Sequence, residues 1–188
     1  MSGRLAGRAF VVDGALPSGP ELASALVEQG ARVLVVSADD TRNDALAARL
    51  GDDGFALVAD LTTADGVDAL GASVPIVLGR LDGAVVRCAG GGGSAPSVAQ
   101  ADDATWRHAC AGLVEFPARA VRELAPQVED GGAIVLVEPS TDDGPSGVLL
   151  PALRALAGAL DAALAPAVHV RLVDGAAGRD DVLDALAG

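Results

Sequence analysis

The residues of this chain that could do chemistry are few. Its 188 residues include two histidines, two cysteines, no tyrosine and no lysine, and all thirteen basic side chains are arginines. Ser140 follows an apolar run and could donate a hydrogen bond to a carbonyl, but a serine without a His, Lys or Tyr base is not an activated nucleophile. Arg154 stays protonated and could hold a hydroxyl group, yet it has no proton to exchange at ordinary pH. The histidines, His108 and His169, fall on a predicted helix and inside a predicted strand. Cys88 and Cys110 lie 22 residues apart with no CxxC and no nearby His pair, which argues against a zinc site or a disulfide framework. They read as small apolar residues of the interior. No metal site is expected. Positioned acid catalysis is worth roughly a hundredfold to ten-thousandfold in rate, and neither a phenol nor an ammonium group is present to supply it.

The elements that must position these residues follow from an alternation of strand-length apolar runs with segments of helical period, the pattern of a parallel sheet with crossover helices. Strands are predicted at residues 8–13, 31–37, 55–59, 84–87, 133–137 and 168–173. Helices are predicted at 21–29, 41–50, 102–128, 148–164 and 179–187. Thr41 is placed as the cap of the second helix, with Asp44 completing a capping box and Gly51 as its left-handed stop. The stretch 63–80 reads as helical in its first half and interrupted by Pro75. Right-handed crossovers make this an α/β fold, a Rossmann-like doubly wound parallel sheet of about six strands with helices on both faces. Ligands of such sheets sit beyond the carboxyl ends of the strands. With no repeat and no convincing linker, residues 1–188 are expected to form one domain.

Composition narrows the partners. The chain is 51% hydrophobic but only 2% aromatic and carries a net charge of -13, so it lacks both a stacking platform for bases and the positive field that draws phosphate backbones. Nucleic acid is not expected. The scattered arginines form no polybasic patch for an anionic membrane. The first eight residues lack the apolar region of a signal peptide, and no run approaches eighteen uncharged apolar residues. A cytoplasmic, soluble protein is expected.

Several segments, taken in order, carry a resemblance. Arg8-Ala9-Phe10-Val11-Val12-Asp13-Gly14-Ala15 looks like an opening strand running into a T-G-x-x-x-G-x-G loop. Gly79-Arg80-Leu81-Asp82-Gly83 and Ala84-Val85-Val86-Arg87-Cys88-Ala89-Gly90 look like the lead into a fourth strand and an N-N-A-G motif. Gly131-Gly132-Ala133-Ile134-Val135-Leu136-Val137-Glu138-Pro139-Ser140 looks like a fifth strand that ends at a catalytic serine. Together, over nearly the whole chain, they resemble the short-chain dehydrogenase/reductase family. The resemblance implies cofactor-binding positions at Gly14, Gly19 (in phase only if the loop is realigned), Asp60, Ala89 and Gly90.

At other positions the family pattern is broken. Asp13 stands where the family has Thr, Ser18 and Pro20 replace the second and third glycines, and an anionic Asp13 is expected to repel phosphate. Ser37 and Ala38 stand where an acid would hold the ribose of NAD; Asp39 or Asp40 could do so after a shift. Arg87 and Cys88 replace the two amides. The catalytic serine aligns with Pro139, one residue before Ser140, and the Tyr-x-x-x-Lys pair falls on Leu150 and Arg154, or on Ser146 and Leu150. The chain stops soon after its sixth strand, so the family's seventh strand and substrate-covering helices are expected to be missing.

Three functions stay open on this reading. The first is a non-catalytic dehydrogenase-like subunit, binding NAD weakly or not at all, that pairs with a homologous full-length dehydrogenase or with itself. In the family the helices corresponding to 102–128 and 148–164 form the main subunit interface, and mixed pairs include some that oxidise hydroxyacyl-CoA intermediates. Residues 148–164 are apolar or small nearly all round, so burial on more than one side is expected. The second is an NAD-dependent oxidoreductase or lyase with an atypical site, using Ser140, Glu138 or Asp142 for proton transfer. The third is a ligand- or protein-binding module on the same scaffold.

Overall fold

The computed structural model describes residues 4–89, 97–140 and 144–187. Six strands form one sheet: β1 (Ala9–Asp13), β2 (Arg32–Ser37), β3 (Gly54–Val58), β4 (Leu81–Arg87), β5 (Val128–Val137) and β6 (Val168–Val173). Their order is β3-β2-β1-β4-β5-β6 and every pairing is parallel. The inner strands β1, β2 and β4 and the second half of β5 are apolar or small on nearly consecutive positions because both their faces are covered, as parallel sheets require. On one face Val11, Leu34, Ile134 and Leu136 meet Leu70, Val74, Leu124 and Leu153. On the other, Phe10, Val33, Val35 and Val135 meet Leu22, Leu26, Leu46 and Leu186.

The helices are α1 (Gly19–Glu28), α2 (Asp40–Leu50), α3 (Ala64–Val77), α4 (Asp103–Cys110), α5 (Phe116–Leu124), α6 (Gly144–Leu164) and α7 (Arg179–Ala187), with a π-helical segment at Ala111–Glu115 joining α4 to α5. The chain winds outward from β1 to β3, then returns to β4 beside β1. The carboxyl ends of β1 and β4 therefore flank the switch point where this fold binds ligands.

Three local expectations are corrected. The cap of α2 is Asp39, whose carboxylate accepts from the Arg42 amide at 3.0 Å; Thr41 already lies inside the helix, so no capping box forms with Asp44. Gly51 does stop the helix, at φ 71°. Pro75 does not interrupt α3. The amide that proline lacks would have bonded the Gly71 carbonyl four residues back, and the Gln127 side chain donates to that carbonyl at 3.0 Å instead.

The third correction concerns α6, which is buried on one side only, through Pro145, Ser146, Leu150, Leu153 and Ala157. Its 21 residues are long and apolar enough to cross a bilayer by length and composition, with a mean hydropathy of 1.5, and only 17% of that window is buried. An apolar helix face is thus left uncovered by the described residues.

Candidate functional site

The loop from β1 to α1 is built to close on itself. The Gly14 amide donates to the Val36 carbonyl at 2.7 Å, the Leu16 amide to the Asp13 carbonyl, and the Gly19 amide to the Leu16 carbonyl. The Ala15 amide donates to Asp13 Oδ1 at 2.9 Å, while Pro17 and Pro20 have no amide hydrogen. Between residues 14 and 20 this leaves the Ser18 amide as the one donor without an acceptor among the described residues. A pyrophosphate at a helix amino terminus is held by such amides, and this loop does not fit it. Its glycines serve packing: a Cβ on Gly19 would stand 2.7 Å from the Asp13 carbonyl oxygen, and one on Gly14 would stand 2.8 Å from Val35 Cγ1.

Asp13 is buried and bonded to the backbone of the protein itself. Its buried carboxylate bridges the switch point, accepting from the Ala15 amide through Oδ1 and from the Arg87 amide at 3.1 Å through Oδ2. Burial pushes this carboxyl above the ordinary aspartate range, against the opposing pull of those two amides and of the Arg87 charge.

The ends of β2 and β3 are tied by a residue that sequence reasoning missed. Asn43, fully buried at 0% exposure, donates to the Ser37 and Leu57 carbonyls at 3.0 and 2.8 Å and accepts from Ser37 Oγ at 2.9 Å. An asparagine in the first turns of a polar helix gives no sequence signal of this role. It engages Ser37, where a ribose acid would stand, and Asp39 is engaged as a helix cap.

Asp60 is exposed and accepts from the Thr62 hydroxyl at 2.6 Å and the Thr62 amide at 2.9 Å; these bonds hold its carboxyl below the ordinary range. Thr63, not Asp60, caps α3. A cavity of about 60 Å³ lies between Asp13, Ser37, Asp60, Thr62 and Arg87.

At the carboxyl end of β5, Glu138 and Arg154 form a two-pronged ion pair, Nε to Oε1 at 2.7 Å and Nη2 to Oε2 at 2.8 Å. Glu138 is 8% and Arg154 58% exposed. The pairing raises the Arg154 pKa above its ordinary value. Ser140 is exposed and lies two residues beyond Glu138, while Ser146 and Leu150 are on the buried face of α6.

Cys88 is buried and its thiol is pushed up to about 12 by burial first, then by the Glu138 and Asp13 charges, so it is an inert packing residue. Cys110 is exposed, contrary to the expectation for both cysteines. Ala89 is buried, and its carbonyl packs so closely on Gly112 of the π-helical segment that a Cβ there would overlap it. Gly90 and Asp142 lie outside the described residues. The structure therefore brings Gly14, Gly19, Asp60 and Ala89 to the carboxyl edge of the sheet.

The sheet order and its crossovers define a doubly wound, Rossmann-like α/β protein. The family model described as enoyl-(acyl carrier protein) reductase matches residues 19–143, and the chain belongs to the short-chain dehydrogenase/reductase family. Among solved structures it is similar to L-sorbose reductase from Gluconobacter frateurii, complexed with NADPH and L-sorbose: 23% identity, TM-score 0.81, 93% of this chain and 71% of that one. It is similar to a glucose/ribitol dehydrogenase from Brucella melitensis, again at 23% identity and TM-score 0.81, over 93% and 77%. It is also similar to 3-ketoacyl-(acyl carrier protein) reductase from Brucella melitensis complexed with NADH, at 22% identity and TM-score 0.77, over 90% and 76%.

Proposed function

We propose that this chain is a non-catalytic member of its family that pairs with a catalytically active, full-length short-chain dehydrogenase, of which a hydroxyacyl-CoA-oxidising enzyme is one type. The observation that carries this reading is the ion pair of Glu138 and Arg154. Arg154 stands where one alignment of the family resemblance places the lysine of proton transfer, and Glu138 directly precedes the position of its serine, in a chain with no tyrosine or lysine at all. An arginine locked to a buried carboxylate neither donates nor accepts a proton at neutral pH.

The pairing surface is the outer face of α6 with α4 beside it. Val148, Ala152, Ala155, Ala159, Ala162 and Ala163 are exposed on α6, and Trp106, Cys110 and Val114 line a shallow apolar groove on α4 and the segment after it. Small residues let a second helix approach closely, and a contiguous apolar face of this extent is the ordinary mark of a protein interface. The partner supplies the proton-transfer residues, and this chain contributes packing and shape.

Co-expression with a full-length family member encoded beside it, followed by light scattering and activity measurement, tests the proposal. A stable heteromer whose activity falls when this chain is omitted supports it; two proteins that elute separately with unchanged activity overturn it. A second reading, an oxidoreductase with an atypical site, draws on the NADPH and NADH complexes of the similar structures. It requires cofactor binding to the isolated chain, which at a hundred times Kd adds about 2.7 kcal/mol of stability. A thermal unfolding curve unmoved by NADH or NADPH counts against it.

A further inference from the structure

We propose that Arg87 is a built-in occupant of the nucleotide crevice, filling with its own side chain the space that the adenosine half of a dinucleotide takes in this fold. The inference rests on the reading of the chain as non-catalytic for its biological sense, but it is tested apart from it.

Arg87 is the last residue of β4, beside the switch point. Its backbone is held there by the bond from its amide to Asp13. From that anchor the side chain lines two neighbouring spaces. One is the cavity among the ends of β1, β2 and β3, with Asp13, Ser37, Ala38 and Asp60. The other is a narrow space under Gly112, Phe116 and Pro117. Arg87 thus borders both spaces at the floor of the crevice.

Three observations agree on the consequence. The first space retains about 60 Å³, against the roughly 300–1,000 Å³ of pockets that enclose small molecules and cofactors. Arg87 Nε is buried without a hydrogen-bond partner among the described residues. A buried donor left without a partner calls for an explanation, and the Asp13 and Asp60 carboxylates both feel the guanidinium charge. Finally, the Gly14, Ala15, Leu16 and Gly19 amides of the β1–α1 loop are engaged by protein acceptors, leaving only that of Ser18 among the described residues 14–20. A nucleotide entering this space meets the Arg87 side chain, whose charge both acids feel.

The test replaces Arg87 with a short neutral residue, leaving in place the backbone amide that holds Asp13. Arg87→Asn and Arg87→Ser are compared with the wild-type chain for binding of NADH, NADPH and AMP, by calorimetry and by saturation transfer to the adenine protons. The wild type is expected to show no saturable binding up to about 1 mM, and each folded variant to bind at least one of the three about tenfold more tightly. Circular dichroism and cooperative unfolding report that each variant is folded, and either variant suffices for the comparison.

Wild-type binding at micromolar Kd overturns the inference, as does a folded variant that binds no better than wild type. Wild-type binding without turnover overturns occlusion alone and leaves the non-catalytic reading in place; binding with turnover overturns both. A variant that gains no affinity while the heteromer still forms removes the occluding role of Arg87 and nothing else.

Discussion

At the residue scale, the polar groups of the crevice have been turned toward the protein itself. Asp13 shows what this costs. Its carboxyl is raised above the ordinary aspartate value of 3.8 by burial, so between that value and its folded-state pKa the folded protein holds more protons at this site than the unfolded chain. Stability contributed by the site is then present below about pH 4 and is lost as pH rises through the raised pKa. Asp13→Asn removes this titration. Urea midpoints measured from about pH 4 to pH 8 are expected to show the wild type losing ground relative to the variant as pH rises. A difference that stays flat, or grows in favour of the wild type, contradicts the assignment. Asn43 makes the complementary case, a neutral group fully engaged. Asn43→Ala leaves the Ser37 and Leu57 carbonyls without their donor, and denaturant unfolding is expected to report a loss of about 2 kcal/mol.

At the element scale, helices α3 and α6 carry the informative departures from pattern. Gln127→Ala removes the donor that replaces the missing Pro75 amide, and α3 is expected to lose about 1 kcal/mol of support, read as faster amide exchange in residues 71–77 than elsewhere. For α6, the two faces separate stability from association. Leu153→Ala empties a fully buried position and is expected to destabilise by about 2–5 kcal/mol. Ala155→Glu with Ala159→Glu changes only exposed positions, so unfolding should move by less than about 0.5 kcal/mol per site while partner binding is lost. If the double variant still binds its partner, the pairing face lies elsewhere.

These elements also mark what the sequence made legible. Strands with near-continuous Val, Leu and Ile announce themselves because both faces are buried. The start of β5 does not, because Glu129-Asp130-Gly131-Gly132 is polar and glycine-rich, yet Gly132 pairs with Val168 through backbone alone. The loss of tyrosine and lysine was visible as composition. That Glu138 and Arg154 pair was not visible, since their pairing depends on how α6 crosses the end of β5. The one-sided burial of α6 was hidden for a related reason: apolar periodicity says that a face is covered, not by which chain.

At the scale of the whole molecule, charge distinguishes the two kinds of partner that the apolar face allows. Each copy carries a net charge of -13, so two copies meeting through a neutral helix face bring together like fields beyond the contact itself. Screening weakens that repulsion. The Debye length falls from about 30 Å at 0.01 M salt to about 8 Å at 0.15 M, and self-association of this chain is therefore expected to strengthen with salt over that range. A partner whose surface around the same face is less acidic or basic reverses the sign, because steering between unlike fields fades as salt is added. Sedimentation of the chain alone and of the chain with a candidate dehydrogenase, each at low and moderate salt, reads both slopes in one series. Association of the pair that weakens with salt, beside self-association that is feeble at low salt, identifies a heteromer. Self-association that is tight at low salt and insensitive to it shows that the apolar contact outweighs the charge, and the functional unit is then two copies of this chain.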